Sequence, residues 1–143
     1  MTRSERLEYM QLLQERMVRK SRHSLLHFTV STVLTFEPAQ FHVQYYNTLT
    51  KFAHGEIKKL MVFMPPQHGK SEGSTRRLPS FILGKNPDTR VAIVSYNTVK
   101  ARKFNREIQR VIDSEEYAKI FPDTYLNDSN VTTVSGGWLR NMD

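Results

Sequence analysis

No cysteine occurs anywhere in the chain, so it carries neither a disulfide framework nor a thiolate metal site, which fits a reducing compartment, the cytoplasm by default. No apolar stretch approaches the length of a membrane span, and Glu5 and Glu8 stand where a secretory leader would need a basic patch followed by unbroken apolar residues. The reading is of a chain neither exported nor membrane-embedded. Internal repeats, low-complexity stretches and linkers are absent, and no Gly-x-Ser-x-Gly or Ser-His-Asp arrangement supports nucleophilic catalysis. His23, His27, His42, His54 and His68 fall at no metal-ligand spacing with carboxylates, although His23 and His27 share a helix face. No apolar run ends in Asp-Glu or Asp-Asp, the carboxylate pair that phosphoryl transfer uses to hold Mg²⁺ and orient the attacking water.

Acidic residues are also scarce: 14 Asp plus Glu face 21 Lys plus Arg. The imbalance is uneven, with 19 basic and 8 acidic residues over positions 1–110 against 2 and 6 over positions 111–143. A basic body raises the expectation of a polyanionic partner such as nucleic acid. The 38% hydrophobic and 24% charged composition is that of a globular chain, and 143 residues make one domain or a piece of a larger one.

Periodicity orders the chain. Leu7, Met10, Leu13 and Met17 share a helical face behind Ser4 as N-cap, and Leu26, Val30, Val33 and Leu34 repeat at helical spacing in a segment whose β-branched residues also allow a strand. Pro38 suits a first helical turn, after which Phe41, Tyr45, Leu49 and Phe52 line a stripe that Gly55 ends. "IKKLMVFM" is a short continuous apolar run closed by two prolines, the pattern of a buried parallel strand. A helix is expected from Ser71 to about Leu83, with Leu78, Phe81 and Ile82 inward and Pro79 as a kink. "RVAIVSYN" reads as a second buried strand, and "TVKARKFNREIQRVIDS" as a helix burying Phe104, Ile108, Val111 and Ile112. Its Lys100, Arg102, Lys103, Arg106 and Arg110 form a solvated basic face or a contact to DNA phosphates. "EEYAKIFPD" suggests a short helix with Tyr117 and Ile120 buried, with Glu115 and Glu116 a solvated helix start. "NVTTVS" suggests a strand, and "GG" a turn before Trp138, where the chain reads as cut rather than finished. Alternating helices and buried strands imply βαβ units around a parallel sheet covered on both faces.

Between the first apolar run and its helix stands "PPQHGKSE". In a phosphate-binding loop a strand ends in a tight turn whose backbone N–H groups wrap the phosphates at a helix N-terminus. Gly69 would permit close approach, Lys70 would reach the β and γ phosphates, and Ser71 would offer its hydroxyl to Mg²⁺, with Gln67 and His68 completing the loop. Met64 stands where the full pattern has its first glycine, and Pro65 and Pro66 lack N–H groups, so the cradle must come from residues 67–71.

With "NPDTRVAIVSYN" and "IFPD", the stretch "PPQHGKSE" resembles the start of the ATPase domain of phage terminase large subunits, the motors that drive DNA into proheads. The likeness runs from about Phe36 to Thr124. It implies an α/β fold, a partial P-loop NTPase of the additional-strand type with a parallel sheet flanked by helices, preceded by N-terminal helices. The division it implies is a helical segment over 1–35 and an incomplete ATPase domain over 36–143, with Walker A present and Walker B and the nuclease domain absent. ATP with Mg²⁺ and double-stranded DNA follow as cofactor and cargo, and the terminase small subunit, the portal and a homo-oligomeric ring as partners of the full-length parent. By position, Gly69, Lys70 and Ser71 match the Walker A triplet. Gln67 stands where many relatives have an arginine that stabilises charge on the γ phosphate, and Gln44 with Phe41 resembles the adenine-contacting segment. Arg76 and Arg77, about two helical turns past Lys70, are read as a solvated face. Rival readings are a helicase-like remodeller, a truncated prophage remnant, and a basic module that holds DNA or a partner without ATPase activity.

Overall fold

Thr2 and Glu5 exchange the two hydrogen bonds of a capping box and launch α1, Arg3–Ser21. The computed structural model describes residues 2–127 and 137–139. The cap is Thr2 rather than Ser4, and the Thr-x-x-Glu spacing that identifies it is plain in the sequence. Ser24 caps α2, Leu25–Thr32, through the His27 N–H, and α3, Gln40–Ala53, starts two residues after Pro38. A helical run then begins at residue 70. It passes through a π-helical stretch, Glu72–Arg77, into α4, Leu78–Lys85, with Pro79 in the first turn of α4. Asn97 caps α5, Thr98–Ile112, by accepting from the N–H groups of Val99 and Lys100, and Ser114 caps α6, Glu115–Ile120. β1, Tyr125–Asn127, and β2, Gly137–Leu139, pair in parallel, with Tyr125 opposite Gly137 and Asn127 opposite Leu139.

The core is helical and aromatic. Phe28 of α2 sits with its ring centroid 5.6 Å from Phe81 of α4, 5.9 Å from Tyr117 of α6 and 5.9 Å from Phe121. Around it are buried Leu25, Tyr46, Leu49, Leu78, Ile108, Val111, Ile112 and Ile120. Rings at 4.5–7 Å and inclined to one another bring negative faces against positive edges, which adds to the area they bury. Tyr117 keeps its hydroxyl satisfied in this interior by donating to the Ser80 carbonyl at 2.9 Å. Burial raises the Tyr117 phenol well above its ordinary range.

The expected α/β sheet is not formed. Among the described residues the only sheet is the two-stranded pair of β1 and β2, far from the multi-stranded parallel core of a P-loop NTPase. Residues 57–65 and 90–96 carry no strand, and no backbone–backbone hydrogen bond ties them to another described segment. Their apolar pattern is half used. Leu60, Val62, Met64 and Ile93 pack against the helical core. Met61 is 77% exposed, Phe63 84%, Val94 92% and Tyr96 91%. A parallel strand is stabilised by neighbours on both edges and layers on both faces; here each segment has one layer and no edge partner. The "NVTTVS" expectation and most of the region around Trp138 lie outside the described residues. The stripe of α1 is likewise uncovered, since Leu7, Met10, Leu13 and Met17 are all exposed.

Candidate phosphate-binding loop

The segment Gln67–Ser71 runs from the end of an extended segment into a helix, the local order expected of it. Gln67 has φ +63° and Gly69 φ +76°, on either side of His68. A left-handed backbone costs a residue with a side chain roughly 1–2 kcal/mol and glycine almost nothing, so Gly69 suits its position and Gln67 bears that cost. Such alternation of hand gathers backbone N–H groups toward one side, where an anion can meet them. The helical run opens at residue 70, and the N–H groups of Gly69, Lys70 and Ser71 make no hydrogen bond within the described protein. Three unpaired donors at a helix start, beside a lysine, favour an anion there.

Lys70 folds back, with its Nζ donating to the Met64 carbonyl at 3.4 Å. That places the amine over the last apolar residue before the proline pair. Ser71 is exposed and its hydroxyl has no partner among the described residues. His68 is also exposed, and its Nδ1 is 2.7 Å from the Pro66 carbonyl. No described group of three or more His, Cys, Asp or Glu side chains is arranged to hold a metal, so a cation at this loop would take a single protein ligand, the Ser71 hydroxyl, beside ligand oxygens.

Helix α3 is the wall of the site. Tyr45 donates its hydroxyl to the Lys70 carbonyl at 2.8 Å, and Ser74 donates to the same oxygen at 2.8 Å. Burial pushes the Tyr45 phenol up, which keeps it a neutral donor. Gly73 lets the helix approach: a Cβ there would lie 2.7 Å from Cε1 of Tyr45. His42 reaches the loop as well, 3.3 Å from the His68 carbonyl. Gln44 and Phe41 lie on the outer side of α3, where they line a groove of about 410 Å³ with Tyr45, Thr48 and residues 60–64. The Phe41 ring centroid is 5.8 Å from that of His68. Gln67, His68, Gly69, Lys70 and Ser71 thus form one loop, and Gln44 faces a separate groove beside its approach.

Arg76 and Arg77 are not the solvated face read from the sequence. Arg76 pairs with Glu107 of α5 at 2.8 Å and with Glu72, while Arg77 pairs with Glu72 at 2.6 Å and donates to Thr32 at 3.0 Å. For Glu72, burial works to raise the carboxyl, but hydrogen bonds from Arg77 and Arg76 outweigh it and hold the group below the usual range. Neither guanidinium is available to a phosphate at the loop. Tyr45, His42, Glu72 and Glu107 are the residues that sequence reasoning missed here. The Glu72–Arg76 spacing of four was the one visible signal; the others act across 25 residues or more.

The α5 surface keeps Lys103, Arg106 and Arg110 exposed. Lys100 lies over the Tyr96 ring, 5.3 Å from its centroid. None of the described helices is long and apolar enough to cross a membrane. Compared with protein-family models, with curated proteins and with solved structures, the chain matches none.

Proposed function

We propose that the chain is the N-terminal part of a DNA-packaging terminase large subunit, and that residues 67–71 bind ATP with Mg²⁺ to power movement of double-stranded DNA. The observation that carries this reading is the trio of unpaired N–H groups at Gly69, Lys70 and Ser71 beside the Lys70 amine. These donors suit a polyphosphate: the amides hold oxygens in place, and Lys70 leaves the Met64 carbonyl to neutralise charge. Ser71, exposed and without a partner among the described residues, would offer its hydroxyl to Mg²⁺. With Arg76 and Arg77 committed to carboxylates and Gln67 uncharged, Lys70 is the cation that residues 67–71 offer a nucleotide, and no arginine of the loop meets charge on a departing phosphate.

A second reading, a basic module that holds DNA without using nucleotide, is favoured by the exposed Lys103, Arg106 and Arg110 on α5. Phosphate contacts of this kind carry no sequence information. Titration calorimetry with ATP and Mg²⁺ separates the two. The first reading expects micromolar binding that Lys70→Ala abolishes; absence of binding by the unaltered chain, with DNA retention intact, gives the second reading the site.

A further inference from the structure

The start of α3 is capped from inside. Its N-cap, Ala39, has no polar side chain, and the Ala39 N–H donates instead to Nδ1 of His42 at 3.1 Å, three residues on. A glutamate or glutamine usually fills this role. An Nδ1 that accepts carries a lone pair, so the proton of the neutral ring is on Nε2. Nε2 lies 3.3 Å from the His68 carbonyl and therefore donates to it. The same nitrogen would sit 3.2 Å from a Cβ at Gly69. Phe41 and Phe36 hold the ring, with centroids 4.0 Å and 5.4 Å from it, and Tyr46 stands beyond at 6.5 Å.

We infer that His42 is a positioning residue for the phosphate-binding loop. The argument rests on peptide geometry. A trans peptide is planar, so the carbonyl of His68 and the N–H of Gly69 point in opposite directions. By fixing that carbonyl toward α3, the Nε2–H of His42 turns the Gly69 N–H away from α3, to the side where Lys70 and Ser71 present theirs. Rotation of this one peptide would aim an oxygen at the anion and remove a donor. His42 touches no ligand; it selects the orientation of a group that does. Because its other nitrogen caps α3, helix and loop share one side chain with one donor and one acceptor. The inference rests on the nucleotide-binding reading above.

Glutamine has the same pair of functions, an acceptor oxygen for the Ala39 N–H and an N–H for the His68 carbonyl, and leucine has neither. We expect His42→Leu to weaken Mg²⁺–ATP binding roughly three- to tenfold, the worth of one neutral hydrogen bond, and His42→Gln to restore it to within about twofold of the original. Imidazole ¹⁵N NMR of the unaltered protein should show His42 as the Nε2–H tautomer, and this readout stands even if the leucine variant does not fold. Equal binding by the leucine variant, a glutamine variant as weak as leucine, or an Nδ1–H tautomer overturns the assignment while Lys70→Ala still abolishes binding. If the unaltered chain binds no nucleotide, the functional reading fails, and this role fails with it.

Discussion

Two regions of the molecule use similar residues to opposite effect. In the helical core, Phe28, Phe81, Tyr117 and Phe121 converge from three helices and a turn and are shielded from water. In the extended segments at 57–65 and 90–96, residues just as apolar are covered on one side only, and no backbone–backbone hydrogen bond ties them to another described segment. Hydrophobicity alone therefore does not locate the core. Helices α2, α4 and α6 close their backbone hydrogen bonds internally and need only side-chain neighbours, whereas an extended segment needs another extended segment beside it. Stability is held on the helical side, and the loop that joins the two regions takes its shape from α3.

The largest effect should follow a cut into the core. Phe28→Ala removes the ring at the centre of three aromatic contacts and should cost about 3–5 kcal/mol, read as a lowered denaturant midpoint at unchanged slope. Next comes the seam between core and loop. Gly73→Val would drive a side chain into Tyr45, where even a Cβ stands at 2.7 Å, and overpacking of this kind costs about 1–3 kcal/mol. It should also break the Tyr45 bond to the Lys70 carbonyl, seen as a shifted Ser71 amide resonance.

A smaller effect is set by pH. The Glu72 carboxyl is held below its ordinary value of 4.5, so its contribution is present above that pH and is lost as the pH falls through the depressed value. The pair is partly exposed, so Glu72→Gln should cost only about 1 kcal/mol at neutral pH and should flatten the acid limb of a stability-against-pH curve. Smallest of all should be Phe63→Ser. At 84% exposure it should change stability by under about 0.5 kcal/mol. A loss as large as that of Phe28→Ala would erase the contrast between the two regions.

The helices were legible because their evidence is local. The repeat over Ile108, Val111 and Ile112 spans one turn or two, and α5 buries all three, while Phe104 on the same expected stripe is only partly buried. In α3 the stripe was read through Tyr45 and Leu49, but Tyr46, one position along, is the more deeply buried, because α2 and α4 close on α3 from two sides. The sheet was over-read for the converse reason. A run such as "LMVFM" states a preference for extended backbone, while the ladder that would use it depends on a partner elsewhere. At the loop, a glycine for close approach and a helix from Ser71 were expected, and the left-handed Gly69 and the helical run from residue 70 stand there. That α3 would supply the tyrosine and histidine that hold it could not be expected, since His42 and His68 are 26 residues apart.

The π-helical stretch carries one more consequence. A wider turn sets residue i+5 over residue i, and that is how Glu72 grips Arg77 as well as Arg76, two neighbours that an α-helix would point about 100° apart. It also makes 72–77 a place where chain length and register come apart. The wide turn holds one residue more than an α turn, so deleting one residue there would let the run close as a regular α-helix, with Phe81 kept in register on Phe28. What a lineage would lose with that codon is the clasp of one carboxylate on two adjacent arginines.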